Sequence, residues 1–278
     1  MNILLLTLLI WLGSALAGFL GALTGLGGGV VLVPLLTLAF GIDIHYAMGA
    51  SLISVIATSS GAAAAYVREG YSNIRIGMFL EIATTLGAVL GAYLTAKLPT
   101  GAIGAIFGLV LIYSAWVSGT AQPETGPPSG PDPLGVSLKM NGSYPGVDGP
   151  RAYQVTRVPA GFSLMFGAGT LSGLLGIGSG AMKVVAMDQI MKIPFKVSTT
   201  TSNFMIGVTA AASAGIYFNR GYIDPGLAMP VMLGVLLGSL LGARVLVRVR
   251  TRVLRWVFGA VLLALGLQMI FHALTGRL

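Results

Sequence analysis

The residues of this chain best placed to do chemistry are glycines and hydroxyls. The run TGLGGGVVLVP (24–34) carries Gly25, Gly27, Gly28 and Gly29 within five positions. A glycine inside a helix costs about 1 kcal/mol against alanine, so such a cluster breaks a helix rather than continuing it. A break exposes N–H groups with no side chain in front of them, and the helix that restarts points its positive end at the gap. A second break, SGLLGIGSG (172–180), supplies Gly176, Gly178, Ser179 and Gly180, with Ser179 adding a hydroxyl donor. Two such ends facing one another would make an anion site; the competing role of these glycines is close helix packing. Each break is followed by a hydroxyl-rich run, SLISVIATSSG (51–61) and STTTSNFMIGVT (198–209). Ser51 and Thr58 are seven residues apart, as are Ser202 and Thr209, which puts each pair on one helical face, with Asn203 beside the second. Hydroxyls so spaced either line a polar path or bond back to their own helix.

Few charges accompany them. Lys183 follows the second break by three residues and could add positive charge to a bound anion, snorkel, or pair structurally. Glu81 sits within an apolar stretch with Gly77, Met78, Thr84 and Thr85 at its helical neighbours, so no partner is expected on its own helix. It suits proton coupling, a structural pair with Lys183, or an interfacial position. Asp188 has Lys192 four residues on and reads as a structural pair. His45 and His272 have no companions at metal-ligand spacing, and cysteine is absent. No Ser-His-Asp set, dinucleotide fingerprint or phosphate loop occurs, since GLGGG lacks the Lys-Ser/Thr that would complete one. Neither an enzyme nor an ATP-driven pump is expected, and no cofactor or metal is called for.

The elements that position these residues follow from composition. Of 278 residues, 55% are hydrophobic and 9% charged, with 41 glycines and a mean hydropathy of +0.88, far from the roughly 25% charge of soluble domains. This is the profile of a polytopic all-α membrane protein. The net charge of +8 lies in short segments beside apolar runs, which assigns it to topology rather than nucleic acid. Apolar segments fall near 2–24, 29–40, 47–66, 76–96, 101–118, 159–177, 181–191, 200–218, 226–247 and 253–274, giving about eight to ten membrane segments. Two of them, 29–40 and 181–191, are short and either span or re-enter. The first segment lacks a basic residue ahead of it and is expected to be retained rather than cleaved as a signal. Trp116 and Trp256 stand at segment ends, as interfacial aromatics do. Residues 119–158, rich in Pro, Gly and Ser, read as an extramembrane loop of little fixed structure between repeats 1–118 and 159–278.

Laying residues 21–29 on residues 172–180 sets an offset of 151 that extends without a gap. Ser51 then meets Ser202, Thr58 meets Thr209, Tyr66 meets Tyr217, Gly70-Tyr71 meets Gly221-Tyr222, and GAVLGA (87–92) meets GSLLGA (238–243). The last two are packing motifs. The basic run RVLVRVRTRVLR (244–255) should be cytoplasmic, whereas its counterpart near 96–102 holds only Lys97. The neighbouring loops reverse that bias, and five segments per half agrees with two inverted copies, a common plan of secondary transporters.

The glycine motif ending in an apolar run and Pro34, its degenerate copy GTLSGLLGIGSG, and the Pro/Gly-rich central loop resemble the TauE/SafE family of sulfite exporters over essentially the whole chain. Ser179, where the first copy has Gly28, departs from internal symmetry. The resemblance implies passage of sulfite, sulfonates or related small anions across the cytoplasmic membrane, without naming one substrate. The partners expected are therefore a small anion, a coupled proton and the lipid bilayer. A channel of the same architecture is the alternative, and no motif specifies an oligomeric state.

Overall fold

A computed structural model describes residues 3–24, 28–68, 72–119, 130, 132–146, 149–178, 180–246 and 251–276. The side chains of residues 3, 22–24, 60–68, 117–119, 181, 243–246 and 251–258, and the surroundings of residue 146, are not among those described. The chain is almost wholly helical, as it must be where no water satisfies the backbone. Its helices are α1 (Ile3–Thr24), α2 (Gly29–Pro34), α3 (Ile44–Arg68), α4 (Ile74–Thr95), α5 (Thr100–Gly119), α6 (Pro133–Ser137), α7 (Val158–Leu175), α8 (Gly180–Val185), α9 (Phe195–Asn219), α10 (Pro225–Leu246) and α11 (Thr251–Leu274). Both short helices continue into π-helical turns, Leu35–Ala39 and Ala186–Ile190. Pro34 precedes the first of these but Val185 the second, so proline alone does not cause the widening. Every start but the first, and every end but the last, in the first half recurs 151 residues later.

Among the described residues, four helices are long and apolar enough to cross a membrane: Leu4–Gly21, Ile74–Thr95, Val158–Leu175 and Pro225–Gly242. These four form the two most extensive contacts, α1 against α10 and α4 against α7. Small residues allow them. A Cβ at Gly87 or Gly91 would overlap the carbonyls of Phe166 and Thr170, and one at Gly169 or Gly173 those of Thr84 and Ala88. The other pair repeats the pattern, Gly238 lying on the Ala15 carbonyl and Gly18 on that of Val235. α5 packs on α11, and α3 on α9, between these pairs. Close backbone approach of this kind is how apolar helices associate where lipid offers no hydrophobic drive. α1, integrated along α10, is a structural member of the bundle.

α4 and α9 run side by side in the same sense. The Asn73 N–H donates to Thr201 Oγ1 at one end (3.1 Å), and Arg220 Nη1 donates to the Ala92 carbonyl at the other (2.8 Å). The start of α3 lies against the connection that follows α9, where the His45 ring stacks on Tyr222 at 4.8 Å between centroids.

The central loop departs from expectation. Residues 120–129 lie outside the description, but α6 and a hairpin of β1 (Gly142–Gly146) and β2 (Gly149–Tyr153) follow. Asp132 organises them: its Oδ1 accepts from Leu134 N at 2.9 Å, capping α6, and its Oδ2 accepts from Val158 N at 2.9 Å. The Asn73 amide donates to Tyr153 Oη (2.6 Å) and to the Met140 carbonyl (2.9 Å), latching the hairpin to the start of α4. Burial raises the Tyr153 phenol above its ordinary pKa, opposed by the Asn73 bond, so the latch stays neutral near physiological pH. Composition suggested a loop of little fixed structure because Pro and Gly dominate it, but contacts with Asn73, distant in sequence, help order its second half.

Gly91→Ala is expected to lower the stability of the detergent-solubilised protein by about 1–3 kcal/mol, because the new methyl must displace backbone. Gly167→Ala, where an added Cβ meets nothing within 4 Å, should stay within about 0.5 kcal/mol of wild type in the same thermal unfolding measurement.

Candidate functional site at the paired helix breaks

The two glycine breaks meet. α7 ends on Gly176 in the left-handed conformation (φ 66°), whose N–H donates to the Ser172 carbonyl at 2.8 Å, and Gly178 is left-handed as well (φ 76°). A Cβ at Gly178 would sit 2.9 Å from Ile206 Cγ2 and 3.1 Å from Val55 Cγ1, so this turn is wedged between α9 and α3. In the first copy Gly28 precedes α2, and its carbonyl accepts from Leu32 N at 3.0 Å. A Cβ at Gly29 would stand 3.4 Å from the Cα of Ile177, between the two left-handed glycines, and 2.6 Å from Ser51 Oγ. Backbone from both halves therefore comes into contact with no side chain between. Gly25, Gly27 and Ser179 lie outside the described residues.

The repeat-related hydroxyls diverge here. Ser202 Oγ donates to the Gly180 carbonyl at 3.2 Å. Ser51 Oγ, fully buried beside Gly29, has no hydrogen-bond partner among the described residues. Ser172 Oγ is likewise buried without a partner. Sequence reading passed over Ser172, although its position one turn before Gly176 places it at the end of α7.

Further along α8 and α9 lies the charged part of the site. Lys183 is fully buried, and its Nζ donates to Thr209 Oγ1 at 2.5 Å. Thr209 Oγ1 in turn stands 2.6 Å from Glu81 Oε1 and 3.0 Å from the Met205 carbonyl, two acceptors for its single proton. Lys183 Nζ also stands 3.9 Å from Glu81 Oε2, which accepts no hydrogen bond among the described residues. Lys183, Thr209 and Glu81 thus form one chain across α8, α9 and α4, relayed through a hydroxyl. The expectation that Glu81 has no partner on its own helix is corrected, since Thr85 Oγ1 donates to Oε1 at 3.2 Å. A threonine one turn on is a donor even though it carries no charge.

The cluster is not duplicated by the repeat, since Leu32 and Thr58 of the first half and Met232 of the second occupy the related positions. Thr58 bonds back to its own helix, to the Ser54 carbonyl at 3.0 Å and that of Val55 at 3.2 Å. Asn203 is half-buried on α9 and makes no hydrogen bond to this group among the described residues. Lys192 is the charge that acts on Asp188, as the spacing predicts, but among the described residues the two do not approach within 4.0 Å. The π turn carrying Asp188 ends at Ile190, and Lys192 takes left-handed backbone (φ 58°), which breaks the helical spacing. His45 pairs with Asp43 at 3.0 Å. No group of three His, Cys, Asp or Glu that could hold a metal occurs among the described residues.

Removing one member of a buried ion pair leaves the other uncompensated. Lys183→Met is expected to destabilise the protein by about 3–5 kcal/mol, and adding Glu81→Gln should restore most of the loss in thermal unfolding.

Comparison with known proteins agrees with this architecture. The family model described as sulfite exporter TauE/SafE matches residues 10–269. The chain is 27% identical over 276 residues to the "Probable membrane transporter protein YunE" of Bacillus subtilis (strain 168), covering 93% of this chain and 95% of that protein. It is 28% identical over 231 residues to the "Probable membrane transporter protein YdhB" of the same organism, covering 83% and 84%. A shorter match, 29% over 103 residues, is to the "Probable membrane transporter protein ORF9" of Sinorhizobium sp. No solved structure matches. With a family model spanning nearly its whole length, this multi-pass membrane chain belongs to the sulfite exporter TauE/SafE family, a family of transporters rather than enzymes.

Proposed function

We propose that this protein is a secondary transporter of the cytoplasmic membrane that moves small sulfur-containing anions, such as sulfite or a sulfonate, by alternating access at the paired breaks. The observation that carries the reading is the contact of Gly29 with Ile177 beside the unpartnered Ser51 hydroxyl. Backbone freed at a break within the bilayer must line protein or a polar cavity, and an orphaned donor at the same place fits an anion that comes and goes. Gly25, Gly27, Gly28, Gly176, Gly178, Ser179, Gly180 and Ser202 complete the proposed surroundings, and the substrate class follows the family description.

Two inverted copies supply the two access states in this reading. In support, α3 begins beside the connection that follows its equivalent α9, and α1–α10 and α4–α7 are the same contact made twice. Movement of one copy against the other would open the breaks to each side in turn.

Lys183 and Glu81 give the cycle its charge balance. With Glu81 ionised the pair is neutral, and the empty site carries no net charge through the membrane interior. When Glu81 takes up a proton, the Thr209 hydroxyl can turn to the Met205 carbonyl, and Lys183 is left to pair with a monovalent anion, which again sums to zero. The two neutral forms can change access, and the half-loaded forms, each bearing a net charge, are disfavoured. One proton then travels with one monovalent anion in the same direction.

Flux of labelled sulfite into proteoliposomes tests this. Uptake by wild type is expected to saturate, to rise with unlabelled sulfite inside, and to rise when the outside is made acidic. Lys183→Met should cut uptake at least about tenfold, the loss of roughly 1.4 kcal/mol or more of site stabilisation. Glu81→Gln should keep exchange but lose the response to the proton gradient. Non-saturating flux without stimulation from the opposite side would indicate a channel, and flux unchanged in Lys183→Met would move the site elsewhere.

A further inference from the structure

We propose that the groove between the C-terminal halves of α4 and α9 is a binding site for an anionic phospholipid, one acyl chain lying in the groove and the phosphate meeting Arg220 and Lys97. The groove has a volume of about 560 Å³ and is lined by Leu86, Val89, Leu90, Tyr93, Ile216 and Arg220, among others. Leu86, Val89, Leu90 and Tyr93 fall at three- and four-residue spacing on α4 and are 58%, 43%, 42% and 50% exposed, so they make one open apolar stripe. α4 is among the helices long enough to span the bilayer, and Tyr93 stands in its last turn, at the depth where headgroups begin.

The charges at that end are what select the occupant. Arg220 Nη1 and Nη2 donate to the carbonyls of Ala92 (2.8 Å) and Tyr93 (3.3 Å), and its Cζ lies 5.5 Å from the centre of the Tyr93 ring. Lys97 Nζ stands over the same ring at 4.7 Å. Two cations are thus drawn to one aromatic side chain, and neither has a carboxylate within 4.0 Å among the described residues. Capping the end of α4 accounts for Arg220 alone. It explains neither Lys97 nor the apolar channel leading to the pair. Arg220 lines the groove and has donors left after its two carbonyl bonds. A phosphodiester of net negative charge satisfies both cations, whereas a zwitterionic headgroup brings its own positive charge to the same spot. Basic pockets between membrane helices bind acidic headgroups on this principle. The site is one-sided in the repeat, since Glu69 occupies the position related to Arg220.

Native mass spectrometry of the full chain released from nanodiscs tests the proposal, using phosphatidylglycerol and phosphatidylcholine of identical chains. Wild type is expected to retain phosphatidylglycerol at least about tenfold better, each cation contributing about fivefold. Lys97→Gln, an exposed change that leaves the α4 cap intact, should lower that ratio about fivefold. Arg220→Lys should keep most of it, and Val89→Trp, which fills the groove, should abolish retention of either lipid. Equal retention of the two lipids by wild type, or ratios unchanged in Lys97→Gln and Val89→Trp, would overturn the site. Because the chain has no native cysteine, a Leu90→Cys variant reports on a rival occupant: oxidative cross-linking of two copies in membranes would assign the groove to a dimer instead, and its absence supports lipid.

Discussion

Everything in this molecule is arranged around backbone that cannot be left bare in hydrocarbon. A helix interrupted within the bilayer frees N–H and C=O groups, and no water is present to take them. Here each interruption is covered by the other. The left-handed turn through Gly176 and Gly178 is wedged between α3 and α9, and its middle residue, Ile177, backs on to Gly29 of the first break. That contact needs both halves to come very close, and the glycines of α1, α4, α7 and α10, laid on facing carbonyls, permit it. A bulky residue at one of these crossings would separate the helices and with them the two breaks. Packing and site are therefore one constraint seen at two places.

On this repeated frame the charged cluster occurs once. Lys183, Thr209 and Glu81 have Leu32, Thr58 and Met232 as their related residues, so the first copy contributes the carboxylate, the second the ammonium and the hydroxyl relay, and the related place holds no ion. The relay through Thr209 matters because Lys183 and Glu81 are 3.9 Å apart, too far for a direct hydrogen bond. The hydroxyl between them has two acceptors and can follow a proton on the carboxyl. The hairpin is latched through Asn73 and Tyr153 to the start of α4, two turns before Glu81.

Much of this architecture could be read from residue order. The membrane class, the two breaks, the 151-residue repeat and the packing role of GAVLGA and GSLLGA are local or periodic signals, carried by composition and spacing. The pairing of Lys183 with Glu81 was among the alternatives that a lone buried charge allows, but nothing local chooses between them, as the two residues sit about a hundred positions apart. The order in residues 132–153 was missed for the same reason. Its Pro and Gly content describes the chain's own preference, while its structure comes from Asn73, Val155 and Val158.

The sequence by itself determined that helix would be interrupted at its two glycine clusters, between Thr24 and Gly29 and between Leu175 and Gly180, because glycine's missing side chain is a property of the residue wherever it lies. Only the tertiary structure decided what each break faces and which hydroxyl is used. Ser51 and Ser202 are the same residue at the same place in two copies, yet among the described residues one is left without a partner and the other bonds Gly180. Thr58 and Thr209 part likewise, one bonding its own helix and the other joining two charges. A hydroxyl takes whichever acceptor lies within about 3 Å, and that distance is set by helices brought together from opposite halves of the chain.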